Sequence, residues 1–247
     1  MSLTDEYRRQ YAWRDWKRAL SLCPTLPGQH VLDLGCGPGD ISAELSARGL
    51  SVIGIDESVE LLTAAKVRCS ECRFEKQDLK FLELTPAIYD GIWCSFTAAY
   101  FVDFGKIFSH WSSFLKAKAW VCITDIDDLL GHKPLSEGTE RKIAAFYEEA
   151  VSSGRYDFRI GGKIDSALRG QGFKVTSVTL EDQELSFDGP ASQDVVQAWK
   201  DRFHRMGGLK AFLGREFPIF QDEFIRCISA RNHRSLCKVV CCVGVRT

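Results

Sequence analysis

The chain has 247 residues, 45% of them hydrophobic, with 32 basic against 33 acidic side chains. That is enough apolar material for one elaborated domain with a full core. A net charge of −1 offers no global field to nucleic acid or an anionic membrane, and no apolar run approaches the ~20 residues of a membrane span.

Residues 4–22 read as a helical lead-in, polar and aromatic rather than secretory, carrying Tyr7, Tyr11, Trp13 and Trp16. Tyr7, Tyr11 and Leu22 fall along one face while five basic residues solvate the rest. Pro24 and Pro27-Gly28 stop the helix, and a first strand follows at 30–34. A helix opens at Pro38-Gly39-Asp40, with Ile41 and Leu45 on one face, and ends at Gly49. Residues 51–56 form a second strand ending in Asp56, and Ser58 caps the next helix. Residues 73–77 are a third strand closed by Asp78. Tyr89 to Phe96 is a fourth, Asp103 to Phe114 is helical, and Ala119 to Asp125 is a fifth strand. This β–α alternation implies a parallel sheet covered on both faces. Further on, Glu140 to Ser153 is helical, a strand runs to about Leu180, and Leu236 to Val245 is a last apolar strand. Between them, residues 189–232 carry two or three amphipathic helices, with Val195, Val196, Trp199 and Phe203 at helical spacing.

Most of the ten cysteines sit in apolar strand-like runs and behave as small buried hydrophobes, which points to a reducing, cytoplasmic protein. Cys69 and Cys72 make one C-x-x-C without the second ligand pair a structural zinc site needs, so no metal is expected there.

The organising stretch is His30-Val31-Leu32-Asp33-Leu34-Gly35-Cys36-Gly37-Pro38-Gly39-Asp40. A strand, a glycine turn and a helix N-terminus together form a nucleotide-type site. A dinucleotide fingerprint wants glycine where Asp40 stands, facing a diphosphate, and no phosphate-cradling G-x-x-x-x-G-K occurs. The run Asp33-x-Gly35-x-Gly37-x-Gly39 resembles the first motif of the class I S-adenosylmethionine-dependent methyltransferases, and the likeness extends over residues 30 to about 180 plus the last strand. One departure is Lys116-Ala117-Lys118-Ala119, where many relatives have Lys-Pro-Gly-Gly, at a turn far from the loop.

The resemblance implies an α/β fold: a doubly wound, mostly parallel seven-stranded Rossmann-like sheet, with an N-terminal helical cap (1–28), a cofactor-binding core (29–188), a helical insertion or lid (189–232) and an antiparallel last strand (233–247). It implies S-adenosyl-L-methionine as cofactor and S-adenosyl-L-homocysteine as product. Gly35, Cys36, Gly37 and Gly39 would carry the methionine part, and Asp33 would orient its ammonium. Asp56, with Glu57, would take the ribose hydroxyls. Asp78 and Leu79 would take the adenine, and Ser95 and Phe96 would flank the methyl group.

The expected activity is methyl transfer to an O or N atom of a small molecule, by a monomer or homodimer. Tyr11, Trp16, Thr97, Tyr100, Trp199 and Phe203 are candidates for the substrate wall, although the helical spacing of Trp199 and Phe203 favours ordinary core packing for those two. His132, closing the acidic run Thr124–His132, is the candidate general base, followed by Tyr100 and His110. The acids of that run could also hold Mg²⁺, but helix capping or surface display is the preferred reading, and no metal is expected. The fourth strand ends in Ser95-Phe96-Thr97-Ala98, unlike the Asn/Asp-Pro-Pro-aromatic run of enzymes that methylate nucleobase amines. RNA or protein as acceptor, cofactor binding without chemistry, and another reaction of the same cofactor stay open as alternatives.

Overall fold

Val31, Leu32 and Leu34 are all buried, as they must be in a strand covered on both faces. In the computed structural model, which describes residues 3–247, the helices are α1 (Leu3–Ala12), α2 (Trp16–Leu22), α3 (Asp40–Ala47), α4 (Val59–Arg68), α5 (Phe104–Ser112), α6 (Glu137–Ser152), α7 (Ile164–Gly170), α8 (Gln193–Arg205), α9 (Gly207–Leu213) and α10 (Phe217–Ile228). The strands are β1 (His30–Leu34), β2 (Ser51–Asp56), β3 (Arg73–Lys76), β4 (Tyr89–Ser95), β5 (Leu115–Asp127), β6 (His132–Lys133), β7 (Phe173–Leu180), β8 (Arg234–Ser235) and β9 (Lys238–Arg246). Side chains of Asp15, Ser58, Asp103, Ser136 and Ser192 accept backbone N–H groups at the starts of α2, α4, α5, α6 and α8.

Seven strands form one sheet in the order β3-β2-β1-β4-β5-β9-β7. β1 to β5 pair in parallel, and β9 enters antiparallel between β5 and β7. Alternate residues of a strand face opposite sides, so the sheet divides the interior. Trp93 packs with Trp16, Leu45 and Trp120 on one side, while Ile92 and Cys94 meet Phe104, Phe108, Trp111 and Ile164 on the other. This is the doubly wound, Rossmann-like arrangement that the resemblance implies, with an antiparallel last strand that lies between β5 and β7.

Three local differences have physical causes. The lead-in is two helices, because residues 13–15 leave the helix to pair with the chain after β7: Asp15 N–H donates to Glu181 and Gln183 N–H to the Trp13 carbonyl. β5 starts four residues earlier than its apolar run and reaches Asp127, with an irregular register opposite Tyr89 and Gly91. A two-strand ribbon of β6 and β8 pairs His132 with Ser235 across a long separation that no local pattern announces. In the 189–232 segment, α8 packs on α10, α10 on β6 and α9 on α6. No helix among the described residues is long and apolar enough to cross a membrane.

Candidate functional site

The sheet order reverses between β1 and β4, and open α/β sheets leave a crevice beyond the carboxyl ends of the strands at that point. A cavity of about 590 Å³ lies there. Its wall takes Gly35, Cys36, Gly37, Pro38 and Asp40 from the β1–α3 loop, Asp56, Glu57 and Ser58 from the end of β2, and Leu79 and Lys80 from beyond β3. Ser95, Phe96, Thr97 and Tyr100 come from the end of β4, and Tyr7, Gln10, Tyr11, Arg14 and Trp16 from the N-terminal helices.

The three glycines, all at positive φ, do different work. A Cβ on Gly35 would stand 2.1 Å from Thr97 Oγ1, and one on Gly39 would stand 2.9 Å from Ala65 Cβ. Gly35 therefore admits the β4 end, and Gly39 lets α4 close on the start of α3. A Cβ on Gly37 would meet only the Tyr7 ring, at 3.8 Å, and would otherwise occupy the cavity floor. Gly39 itself is off the wall, so of the three glycines only the first two line the cavity.

Asp33 is also behind the wall, 1% exposed. Ser42 Oγ donates to its Oδ2 at 2.6 Å, and burial raises the carboxyl to about 7, a rise that the Ser42 hydrogen bond moderates. Its position makes it a strut between loop and helix rather than a direct cofactor ligand. Asp56 is on the wall, accepting from Gly37 N–H at 3.0 Å and Ser58 N–H at 2.9 Å. Asp78 is exposed and off the wall. Its carboxylate accepts from Lys80 N–H at 2.8 Å, so it caps a turn, while its neighbour Leu79 is buried on the wall. Asp40 faces the cavity beside Arg68, 2.8 Å away. That is an acid where a dinucleotide fold seats phosphate.

Opposite the loop, Phe96 at φ 53° presents its ring edge-on to Trp16, centroids 5.8 Å apart. The Arg14 guanidinium lies 4.1 Å above that ring, and its Nε donates to Asp182 Oδ2 at 2.5 Å. Burial, then Tyr100 and Asp56, push the Tyr7 phenol up to about 12; burial likewise raises Tyr11, with Glu44 adding to it. Both therefore stay protonated at neutral pH and act as donors. α1 is strapped down by ion pairs: buried Glu6 meets Arg205 and accepts from Gln10, and Arg9 lies 3.7 Å from Asp201.

His132 is elsewhere, 1% exposed among Trp199, Phe224 and His233. The Gly189 carbonyl can only accept, so His233 Nδ1 donates to it at 2.9 Å and His233 Nε2 accepts from His132 Nδ1, also at 2.9 Å. Burial, with the His233 and Arg202 charges, lowers His132 to about 3. It is a neutral core residue off the wall, and the expectation of a general base there is corrected. His110, on α5 against Phe114, is also off the wall. Trp199 and Phe203 are fully buried against Phe224; their spacing marks core, and no residue of 189–232 is on the cavity wall. The cap over the site is the α1–α2 segment. The acids at the end of β5 do not converge: Asp125 is buried, accepting from Ala99 and Ile126 N–H. No cluster of three metal-ligating side chains occurs among the described residues. Sequence reasoning missed Gln10, Arg14, Lys80 and Arg155 on the wall. Arg14 is set there by a pairing with Asp182, 168 residues away.

A family model described as a methyltransferase domain matches residues 31–118. Trans-aconitate 2-methyltransferase of Rhizobium meliloti is 42% identical over 62 residues, 24% of this chain and 24% of that protein. Ubiquinone biosynthesis O-methyltransferase of Leptothrix cholodnii is 32% identical over 108 residues, 41% of this chain and 46% of that protein. The matched stretches thus span between a quarter and a half of these curated relatives. Among solved structures, Haemonchus contortus phosphoethanolamine N-methyltransferase 2 in complex with S-adenosyl-L-methionine shares the fold, with a TM-score of 0.57 and 21% identity, over 94% of this chain and 52% of that one. The family match begins in β1 and ends in β5, around the glycine loop and the cavity: over residues 31–118 the chain carries a methyltransferase domain.

Proposed function

We propose that this protein binds S-adenosyl-L-methionine in the 590 Å³ cavity and transfers its methyl group to an oxygen or nitrogen of a small molecule. The observation that carries the reading is the open ground over Gly37, bounded by the Asp56 carboxylate on one side and Leu79 on the other. Those residues fit the group. Gly35 and Gly37 would hold its methionine part, Asp56 its ribose, and Leu79 with Cys36 its adenine. When bound, it supplies a methyl carbon already activated by a sulfonium. The chain's own task is then placement and exclusion of water. Phe96, Trp16 and Tyr11 wall off the transfer end, and the strapped α1 segment covers it.

A small acceptor is supported by the aromatic wall and by the relatives, which act on trans-aconitate and in ubiquinone biosynthesis. The free thiols of all ten cysteines support a reducing compartment such as the cytoplasm. Titration calorimetry with S-adenosyl-L-methionine tests the reading: Asp56→Ala should weaken binding about tenfold or more, as expected for loss of charge-assisted hydrogen bonds. Wild-type affinity in that variant would refute the assigned contact.

A further inference from the structure

The cavity wall lacks a proton acceptor at its transfer end. It holds no histidine. Asp40 is engaged by Arg68, and Asp56 by the N–H groups of Gly37 and Ser58. Glu57 belongs with Asp56 at the end of β2, and the phenols of Tyr7, Tyr11 and Tyr100 keep their protons at neutral pH. Asp33 and Asp125, the two carboxyls raised to about 7, both lie behind the wall with their oxygens already accepting.

The wall does hold cations. Lys80 is exposed, and Arg155 is exposed and paired with Glu149. Arg14 is different: its side chain is 5% exposed. Its Nε is committed to Asp182, its Nη1 lies 3.5 Å from Gln10 Oε1, and its plane lies over Phe96. Asp182 is itself fixed by the N–H groups of Glu184 and Leu185, each at 2.8 Å. Nη2 engages no side chain or carbonyl among the described residues. A buried, oriented guanidinium with an unused edge is a reader of anionic oxygen.

Resting on the reading above, we propose that the acceptor is a carboxylic acid, ionised before it binds, that the product is its methyl ester, and that Arg14 determines this specificity. A lone pair of the carboxylate takes the methyl carbon, and the carbon–sulfur pair stays on sulfur. Carboxylate and sulfonium charges cancel, no proton leaves, and no base is required. A hydrogen bond from Nη2 to one oxygen leaves the other free to react. Trp16, Phe96 and Tyr11 suit an apolar carbon body beside it.

The test starts from purified protein, methyl-tritiated S-adenosyl-L-methionine and the small-molecule fraction of a cell extract, with the products then treated with mild alkali. Methyl esters release volatile methanol, whereas ethers and methylamines do not, and most of the transferred label should become volatile. Transferred label that resists alkali overturns the carboxylate assignment and leaves methyl transfer standing. No transferred label overturns both. In Arg14→Gln, affinity for S-adenosyl-L-methionine by calorimetry should stay within about twofold, while KM for the purified acceptor rises about tenfold or more. An unchanged acceptor KM, or lost cofactor affinity in the folded variant, refutes the role of Arg14. Should that variant fail to fold, the wild-type pH profile decides: kcat/KM for the acceptor should be flat from about pH 6 to about pH 9, and a tenfold rise per unit would mean that a proton must be removed.

Discussion

Replacing Gly37 by alanine separates what the loop does for binding from what it does for the fold. At φ 52° an L residue pays roughly 1–2 kcal/mol of backbone strain. The new methyl touches nothing nearer than the Tyr7 ring at 3.8 Å, so no packing penalty adds to that strain. Gly39→Ala carries the same kind of strain plus a Cβ 2.9 Å from Ala65 Cβ and 3.1 Å from its Cα. Overpacking of that kind costs a further ~1–3 kcal/mol. Urea unfolding should therefore rank Gly39→Ala as the less stable. Calorimetry on folded protein should reverse the order: Gly37→Ala places its methyl on the cavity floor and should lose about tenfold or more in affinity for S-adenosyl-L-methionine, which is ~1.4 kcal/mol. Gly37→Ala binding with wild-type affinity would refute the placement of the methionine part over this loop.

Other substitutions probe the corrected assignments. Asp78→Ala should leave cofactor affinity within about twofold, because Asp78 is off the wall and caps a turn; a loss as large as that of Asp56→Ala, by calorimetry, would restore it as an adenine ligand. His132→Phe should destabilise by roughly 1–3 kcal/mol, since the buried His233 Nε2 loses its donor, yet kcat/KM of the folded variant should stay within about twofold; a loss of about a hundredfold or more would return His132 to the mechanism. Asp33 titrates near 7 when folded and ~3.9 when unfolded. Between those values the folded state binds the extra proton, so this residue lowers stability as pH rises from about 4 to about 7. Asp33→Asn, which keeps an acceptor for Ser42, should gain on wild type in urea unfolding at pH 7 relative to pH 5. A gap that is constant with pH would contradict the buried, raised carboxyl.

The sheet was legible because its signals are local. Each of β1, β2 and β4 is a short apolar run followed by a turn or cap, and the glycine loop declares its own backbone. The cavity wall was legible where it belongs to those same strand ends, as with Gly35, Gly37, Asp56 and Phe96, and at the lead-in aromatics Tyr11 and Trp16. Arg14 was invisible because its position depends on Asp182 across 168 residues, and the break in the lead-in helix depends on pairing with residues 181–183. His132 misled for the converse reason. An acidic run from the end of β5 looks like a site, but β6 pairs with β8 and turns the ring into the aromatic core of the insertion. Trp199 and Phe203 show that helical spacing of aromatics reports burial first. Asp78 and Asp56 both close strands, and only the loop around Gly37 distinguishes the one that faces the cavity.

A crystal structure grown with S-adenosyl-L-homocysteine addresses the whole account. The thioether should lie over Gly37, the ribose hydroxyls within hydrogen-bond reach of Asp56 and the purine against Leu79, with the sulfur turned toward Phe96 and Arg14. The same compound bound elsewhere on the molecule, or lying in this cavity without touching Asp56, would contradict it.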